Sequence, residues 1–354
     1  MTIILRVDPI NPDESALSKA AEVIRGGGLV AFPTETVYGL GANVFDRKAL
    51  MRVYEVKQRP VDNPLIIHVD SLEMLGEVAR EIPEEAFKLA SRFWPGPLTL
   101  ILPKSERVPY EATGGLETVA VRMPAHPVAL KLISRAGVPI AAPSANLSGR
   151  PSPTRGEHVV RDLYSRVDVI IDAGETLYGV ESTIVNILAK PPVLLRPGAY
   201  PVEEVERVLG VRIQVPEFAR GLSEAERAMA PGMRYRHYAP DTPLILVEAG
   251  SYEGEALKRL SMEVARLIGE FKGRRVCMLS SRETSSAYTG LGVEVFVLGS
   301  RDNLFEVARN LFNALRWVDD AGCEVAIAEG YPERGLGLTI MNRLRKAASR
   351  RIFI

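Results

Sequence analysis

Short apolar runs alternate with helix-like segments along most of the chain, and this alternation constrains the fold more than any other feature. Strand-like runs occupy residues 29–32, 65–69, 97–102, 118–123, 139–142, 168–174 and 182–188. Helical periodicity is found at residues 14–26, 46–56, 71–80, 84–93, 127–136 and 156–165. Because alternating strands and helices pack as sheets covered by helices, the pattern predicts an α/β domain with a large mixed sheet.

The pattern changes in the second half of the chain. Residues 212–241 carry scattered prolines and many charges without a sustained apolar period, which indicates a linker. Strand-like and amphipathic helical segments then alternate again, which is typical of a smaller parallel α/β domain. We therefore expect a first domain over residues 12–205, a linker over 206–241 and a C-terminal α/β domain over 242–354.

Composition excludes several classes of protein. The 354 residues include 44 Lys plus Arg and 44 Asp plus Glu, so net charge gives no argument for nucleic-acid binding. No apolar run approaches the roughly 20 residues of a membrane helix, and the first residues do not resemble a signal peptide. Only Cys277 and Cys323 are present, which argues against a disulfide framework and a cysteine zinc site. A cytoplasmic enzyme is the expected class.

Two cations follow the helix predicted at residues 46–56, in the stretch VKQRPVDNPLIIHV. Arg59 precedes a proline, so its backbone is expected to be extended and Lys57 then points to the same side. Such a pair suits an oligophosphate, although cations also favour a solvated helix C-terminus. His68, on the next strand, is either a hydrogen-bonded core histidine or a functional one.

Arg122 lies on an otherwise apolar strand, on the face that also carries Thr118. A buried guanidinium needs a compensating charge, so its partner is either a structural carboxylate or the carboxylate of a ligand. The loop APSANLSGRPSPT after another strand offers Ser144, Ser152 and free backbone N–H groups to an anion, or is an ordinary turn. The histidines show no metal-binding spacing, and no serine sits in a nucleophile motif.

Taken in order, six motifs resemble those of the YrdC-like family of threonylcarbamoyl-AMP synthases. They are FPTETVYGLG, KQRP, NPLIIHV, RMPAHP, APSANLSGRPSPT and ESTIV, within residues 14–201. The motif PGMRYRHYAP and the segment after it resemble the long, two-domain form of that enzyme. The resemblance implies a twisted mixed open sheet with a deep positive cavity, followed by a Rossmann-like parallel domain.

The resemblance also implies a reaction. Family members convert L-threonine, bicarbonate and ATP to threonylcarbamoyl-AMP and pyrophosphate, with Mg²⁺ held mainly through the ATP phosphates and no protein metal site. A tRNA threonylcarbamoyl transferase then uses the product to modify an adenosine of tRNA. By this resemblance, L-threonine is bound by Thr36, His68, Arg122, Ala142 and Ser182. ATP is bound by Arg59, Asn63, Thr118, Ser144, Ser152, Arg196 and Tyr235. Lys57 and Arg59 would act on the phosphates during catalysis.

Two alternatives remain open at this point. One is a carbamoyltransferase of the hydrogenase-maturation type, which carries a related domain together with zinc fingers that two cysteines cannot supply. The other is a non-catalytic RNA-binding protein. The arginines near residues 343–351 are compatible with weak RNA contact, but a solvated amphipathic C-terminal helix is the expected alternative.

Overall fold

The structure, a computed structural model, describes residues 1–234 and 237–354. These residues form two compact units. The first comprises residues 1–148, 152–219 and 224–234, and the second comprises residues 149–151, 220–223 and the described residues after Arg234. Among the described residues, no helix has both the length and the apolar character that crossing a membrane requires.

The first unit is built on one mixed sheet. In chain order its strands are β1 (Ile3–Arg6), β2 (Val30–Phe32), β3 (Gly39–Asn43), β4 (Ile66–His68), β5 (Leu98–Pro103), β6 (Thr118–Arg122), β7 (Ile140–Ala141), β8 (Val169–Asp172), β9 (Thr183–Asn186) and β10 (Val193–Arg196). They are hydrogen-bonded in the order β1-β8-β2-β3-β7-β4-β6-β5-β9-β10. β4 and β6 are parallel neighbours, and β7 runs antiparallel to β4 on its other side. The sheet therefore brings polar strand ends from distant parts of the chain together.

Helices connect these strands and cover the sheet. They are α1 (Glu14–Arg25), α2 (Arg47–Lys57), α3 (Leu72–Val78), α4 (Glu84–Phe93), α5 (Tyr110–Thr113), α6 (Pro127–Ala136), α7 (Gly156–Leu163) and α8 (Val202–Leu209). Helix α2 begins after Asp46, whose side chain accepts hydrogen bonds from the N–H groups of Lys48 and Ala49. It ends at Gln58, whose left-handed φ of 53° turns the chain sharply.

Strand β3 was not predicted, because its glycines resemble those of a turn. Gly41 nevertheless lies within the sheet, opposite Val30 of β2. A Cβ atom at Gly41 would lie 2.8 Å from side-chain atoms of Phe32 and Ile140. The glycine is therefore required by close packing rather than by a turn.

The segment 224–234, which lies inside the predicted linker, packs on the first unit. Ala225, Ala230 and Met233 are buried in one apolar cluster with Ile66 of β4 and Ile184 of β9. The segment contains no helix or strand. Its apolar side chains are spaced irregularly, so sequence periodicity does not reveal that they are buried.

The second unit contains a five-stranded sheet with all its strands parallel. Its strands are β11 (Leu244–Glu248), β12 (Val276–Ser281), β13 (Glu294–Gly299), β14 (Val325–Glu329) and β15 (Arg350–Phe353). Its helices are α9 (Gly254–Gly269), α10 (Leu304–Asp320) and α11 (Leu336–Ala347). The strand order is β13-β12-β14-β11-β15. The predicted fold class, a mixed α/β sheet followed by a parallel α/β domain, is confirmed.

The second unit contains one feature that was not predicted and one that corrects a prediction. Cys277 and Cys323 form a single disulfide with a Cα–Cα distance of 5.8 Å, whereas the low cysteine count argued only against a disulfide framework. The parallel pairing of β12 with β14 brings these two positions together. In addition, Arg343 is fully buried in α11, and the chain becomes a strand at Arg350. The arginines near residues 343–351 therefore do not form a solvated helix.

Candidate functional site

The first unit contains a small cavity at the polar ends of its strands. Its volume is about 50 Å³, enough for a few water molecules. Seven of the residues predicted to bind substrates line it: Thr36, Arg59, His68, Arg122, Ala142, Ser144 and Arg196. The sheet order, rather than sequence proximity, collects these side chains in one place.

His68 and Arg122 are side by side at the cavity. They are the last residues of β4 and β6, and the parallel register pairs them directly. The strand β7 ends on the other side of β4, and the N–H of Ala142 donates to the carbonyl of Ile66 at 2.9 Å. The N–H of Ala142 is therefore occupied by this hydrogen bond, and the carbonyl is the backbone group of Ala142 that can contact a ligand.

Arg122 is held by two residues of the loop that follows β2. Its Nη1 donates to Thr36 Oγ1 at 3.0 Å, and its Nη2 lies 2.5 Å from Glu35 Oε1. Glu35 and Arg122 are 4% and 3% exposed, so this is a buried ion pair. The sequence left open whether the partner of Arg122 is a structural carboxylate, and Glu35 provides one.

The loop itself is shaped by Thr34. Its hydroxyl donates to the Val37 carbonyl at 2.6 Å and accepts from the N–H groups of Thr36 and Val37. These local bonds fix a tight turn. The turn places Glu35 and Thr36 on Arg122, which explains why a Thr-Glu-Thr sequence follows the buried strand.

His68 is uncharged at neutral pH. Burial, assisted by the positive charge of Arg122, lowers the pKa of His68 from 6.5 to about 3. Its Nδ1 is buried and has no hydrogen-bond partner among the described residues. The side chain can therefore exchange a hydrogen bond with a ligand in the cavity, but it does not supply positive charge there.

Arg196 closes another side of the cavity. Its Nε and Nη2 donate to the carbonyl of Ser182 at 3.2 and 2.9 Å, and its Nη1 lies 3.5 Å from the carbonyl of Pro231. The hydroxyl of Ser182 is 2.7 Å from Thr99 Oγ1. Pro231 lines the cavity, so the packed segment 224–234 contributes directly to its wall.

Arg59 and Lys57 point to different carbonyl groups. Arg59 donates to the carbonyls of Asn63 and Pro64 at 3.1 and 2.9 Å. Lys57 Nζ donates to the carbonyls of Ser144 and Asn146, the latter at 2.5 Å. Burial, with the charge of Arg59, lowers the pKa of Lys57 well below its usual value. The left-handed Gln58 between the two cations replaces the extended backbone that the sequence predicted.

Several predicted residues lie outside the cavity wall. Ser182 accepts hydrogen bonds from Arg196 through its carbonyl. Lys57 and Asn63 are buried nearby. Ser152 Oγ donates to Glu181 Oε1 at 2.8 Å. Thr118 begins β6, four residues before Arg122, which corresponds to about 13 Å along a strand. Tyr235 lies outside the residues that the structure describes. For these residues the assigned roles remain predictions.

Two carboxylates at the site were missed by the sequence reasoning. Glu35 contacts Arg122, and Glu181 is the only carboxylate among the described residues that line the cavity. Both occur in motifs quoted above, FPTETVYGLG and ESTIV. The available signal was the buried arginine, which needed a carboxylate nearby; the sequence did not show which one folds against it.

The wall of the cavity suits an anion better than a metal ion. Three arginines line it, Arg59, Arg122 and Arg196, against the single carboxylate of Glu181. Among the described residues, no group of three His, Cys, Asp or Glu side chains is arranged to hold a metal. The chemistry of the site is therefore the binding of carboxylate or phosphate groups.

Two family models match consecutive parts of the chain. Residues 22–198 match the Sua5, YciO and YrdC family model, which is described as telomere recombination. Residues 200–349 match the model of the C-terminal domain of threonylcarbamoyl-AMP synthase. The match over the cavity-bearing unit is thus followed directly by a match over the second sheet.

Relatives extend over the full chain. The chain is 53% identical to threonylcarbamoyl-AMP synthase of Pyrococcus abyssi, with 99% of each chain covered. It is 46% identical to the Bacillus subtilis enzyme of the same name, with 98% of this chain and 96% of the relative covered. The crystal structure of P. abyssi Sua5 complexed with L-threonine matches with a TM-score of 0.91 and 52% identity, and covers 100% of both chains.

Proposed function

Because the chain belongs to the threonylcarbamoyl-AMP synthase family in its two-domain form, we propose that it makes threonylcarbamoyl-AMP and pyrophosphate from L-threonine, bicarbonate and ATP. The observation that carries the proposal is the cavity with Arg59, Arg122 and Arg196 in its wall. Guanidinium groups bind carboxylates and phosphates as bidentate donors. One cavity then offers partners to both an amino acid and a nucleotide.

The threonine subsite is proposed at the ends of β4, β6 and β7. Arg122 would bind the carboxylate, while Thr36, neutral His68 and the Ala142 carbonyl would bind the amine and hydroxyl groups. Ser182 completes the set from the start of β9. The P. abyssi structure with L-threonine supports this assignment, because that protein aligns with this chain over its whole length.

The nucleotide subsite is proposed on the side of Arg59, Ser144 and Arg196. Asn63, Thr118 and Ser152, which lie off the cavity wall, would reach the nucleotide only in a larger cavity. A volume of about 50 Å³ does not hold ATP, so the wall has to open for the nucleotide, and the segment 224–234, which contributes Pro231 to it, is proposed to be the part that moves. Tyr235, next to this segment in the sequence, is proposed to cover the nucleotide afterwards.

The chemistry needs positioning and charge neutralisation rather than a protein nucleophile. The threonine amine is first carboxylated by bicarbonate to a carbamate, with the loss of a water molecule. A carbamate oxygen then attacks the α-phosphorus of ATP. The new oxygen–phosphorus bond forms as the bond from the α-phosphorus to the α,β-bridging oxygen breaks, and pyrophosphate leaves. Buried arginines stabilise the charge that develops on the phosphates. Mg²⁺ is proposed to arrive bound to the ATP phosphates, because no protein cage for it is found among the described residues.

We also propose which reaction uses the product and where it takes place. The product would pass to a tRNA threonylcarbamoyl transferase in the cytoplasm, which modifies an adenosine in tRNA. Among the arginines near residues 343–351, Arg343 is buried and Arg345 is paired with Glu248 and Glu333, so weak RNA contact by this chain would rest on the exposed Arg350 and Arg351.

Pyrophosphate release is the experiment that tests the function. The full chain should release pyrophosphate from ATP only when both L-threonine and bicarbonate are present. Release supported by carbamoyl phosphate instead would indicate the carbamoyltransferase alternative. Absence of release under all conditions, combined with RNA binding, would indicate the non-catalytic alternative.

A further inference from the structure

The second unit contains a crevice that the proposed function does not use. The connection after β11 passes through α9 and crosses β14 to reach β12, whereas the connection after β14 passes through α11 and crosses β11 to reach β15. Two neighbouring parallel strands thus send their connections in opposite directions. In open parallel sheets, ligands bind outside the carboxyl ends of strands at such a switch point.

A cavity of about 470 Å³ lies at this position. Its wall is formed by residues 249–253, which follow β11, and residues 331–334, which follow β14, together with side chains of α11 and β15. Small-molecule sites commonly measure roughly 300–1,000 Å³. The cavity therefore has the volume of a small organic ligand and the position that the topology predicts for one.

Ion pairs hold the base of this cavity in place. Glu248, at the end of β11, is 2.6 Å from Arg345 and 2.7 Å from Arg351. Glu333 pairs with Arg220 at 2.6 Å and also with Arg345. The side chains of Glu248 and Arg345 are 4% and 7% exposed, so the base is rigid before any ligand binds.

The cavity wall carries charged side chains of both signs in equal number. Its carboxylates belong to Glu248, Glu253 and Glu333, and its guanidinium groups belong to Arg220, Arg334 and Arg345. Arg220 and Arg345 are engaged in the ion pairs described above, which leaves Arg334 as the cation most open to a ligand. Arg334 is 78% exposed and only 3.6 Å from an equally exposed Glu253, a weak pair that a ligand can replace.

Polar groups in the wall also lack partners. The backbone N–H groups of Gly250, Ser251 and Tyr252 donate to no acceptor among the described residues. Glu253 precedes α9 without a side-chain cap on the helix, so the positive end of its dipole faces this loop. Tyr331 is 1% exposed, and its hydroxyl has no partner in the described part of the chain. These donors fit a phosphate group.

We infer that this cavity is a second nucleotide site, which binds a mononucleotide through its phosphate. The phosphate accepts hydrogen bonds from the Gly250–Tyr252 loop and the start of α9, with Arg334 at the mouth. Phe353, which is 74% exposed at the rim, and Tyr252 provide ring faces for the base. The inference concerns residues of the second unit alone and goes beyond the proposed reaction.

AMP binding to the full chain tests the inference by equilibrium dialysis. Wild type should bind two AMP molecules per chain, one in each unit. Ser251→Glu places a negative charge on the exposed phosphate loop and should weaken one site by about tenfold or more. Ser286→Glu, an exposed position outside the cavity wall, is the matched control and should bind like wild type. Arg334→Glu, with intact thermal unfolding, should repeat the loss.

The outcomes separate this site from the first one. Arg196→Ala should remove only the AMP bound in the first unit. The inference is overturned if wild type binds a single AMP that is lost in Arg196→Ala and kept in Ser251→Glu. That result would leave the proposed function intact. Adenosine should not compete at the second site because it lacks the phosphate. Equal competition by adenosine and AMP would also overturn the assignment.

Discussion

Arg122 has a carboxylate partner within the protein, and this bears on its proposed role in binding threonine. Glu35 compensates its charge, and Thr36 fixes one of its nitrogens. The remaining Nε is buried without a hydrogen-bond partner among the described residues. The guanidinium is therefore oriented in advance, so little conformational entropy is lost when a carboxylate binds.

Removing this guanidinium should weaken threonine binding. We expect Arg122→Ala to reduce L-threonine affinity by roughly 10- to 150-fold, equivalent to about 1.5–3 kcal/mol for a charged hydrogen bond. Calorimetric titration with L-threonine measures the change. Arg207→Ala, which removes an exposed arginine of α8, should bind like wild type. Unchanged affinity in Arg122→Ala would exclude the assigned role.

Glu35→Gln should separate stability from binding. The change leaves the Arg122 charge buried without a carboxylate, which should lower the unfolding free energy of the first unit by about 3–5 kcal/mol. The carboxylate of L-threonine can replace the lost charge, so saturating threonine should stabilise the variant more than wild type.

Denaturant unfolding with and without L-threonine measures both effects of Glu35→Gln. Glu22→Gln, at an exposed position of α1, is the control and should show neither. Equal stabilisation of Glu35→Gln and wild type by threonine would show that the ligand does not reach Arg122.

His68 should make the first unit sensitive to acid. The pKa of His68 is about 3 when folded and 6.5 when exposed. Between these values the unfolded chain binds a proton that the folded chain does not, so stability falls as pH falls, by up to about 1.4 kcal/mol per pH unit. Comparing unfolding of wild type and His68→Asn from pH 7 to pH 4 measures this difference. Parallel curves for the two proteins would contradict the assignment.

At the scale of elements, the cavity depends on a segment that is neither helix nor strand. Residues 224–234 are anchored by Ala225, Ala230 and Met233 and contribute Pro231 to the cavity wall. Arg234 pairs with Asp62 at 3.4 Å at a partly exposed position. A segment without helix or strand that is held by a small apolar cluster can serve as a movable cover.

Replacing residues 231–235 with a Gly-Ser segment that retains the buried Met233 should impair turnover while both units stay folded. The reason is loss of the cavity wall at Pro231 and of the proposed cover at Tyr235. Steady-state pyrophosphate release and circular dichroism measure the two properties. The same replacement in the exposed loop 289–292 is the control. Full activity of the first replacement would exclude a covering role.

The limits of the sequence reasoning also lie at this scale. Helices such as α6 agree with prediction because Pro127 and the left-handed Gly137 mark their ends locally. Strand β3 was missed because Gly41 is needed by neighbours distant in sequence, Phe32 and Ile140. The pairing of Glu35 with Arg122 was missed for the same reason. Local chemistry is readable from sequence, whereas contacts between distant segments are not.

At the scale of the whole molecule, the two units are stabilised in different ways. The second is smaller and contains a disulfide between positions 46 residues apart. Closing a loop of this length removes unfolded-chain entropy worth about 4 kcal/mol in the simple chain model. The first unit contains no cysteine. Reducing agents should therefore affect the units unequally.

Reduction should lower the stability of the second unit by about 2–4 kcal/mol and leave the first unchanged. Unfolding monitored by Trp317 fluorescence in the second unit and by Trp94 in the first, each in a single-tryptophan variant, measures this. The double substitution Cys277→Ala and Cys323→Ala should reproduce the effect of reductant and abolish any further response to it. An equal shift in both units would contradict this account.

The small volume of the first cavity has a consequence for the order of events. A space of about 50 Å³ is too small for ATP, so under the proposed function the wall has to open before the nucleotide enters. Closure around the bound substrates would then keep bulk water from the carbamate, which otherwise loses carbon dioxide. Under that proposal, one movement both admits the nucleotide and shields the intermediate.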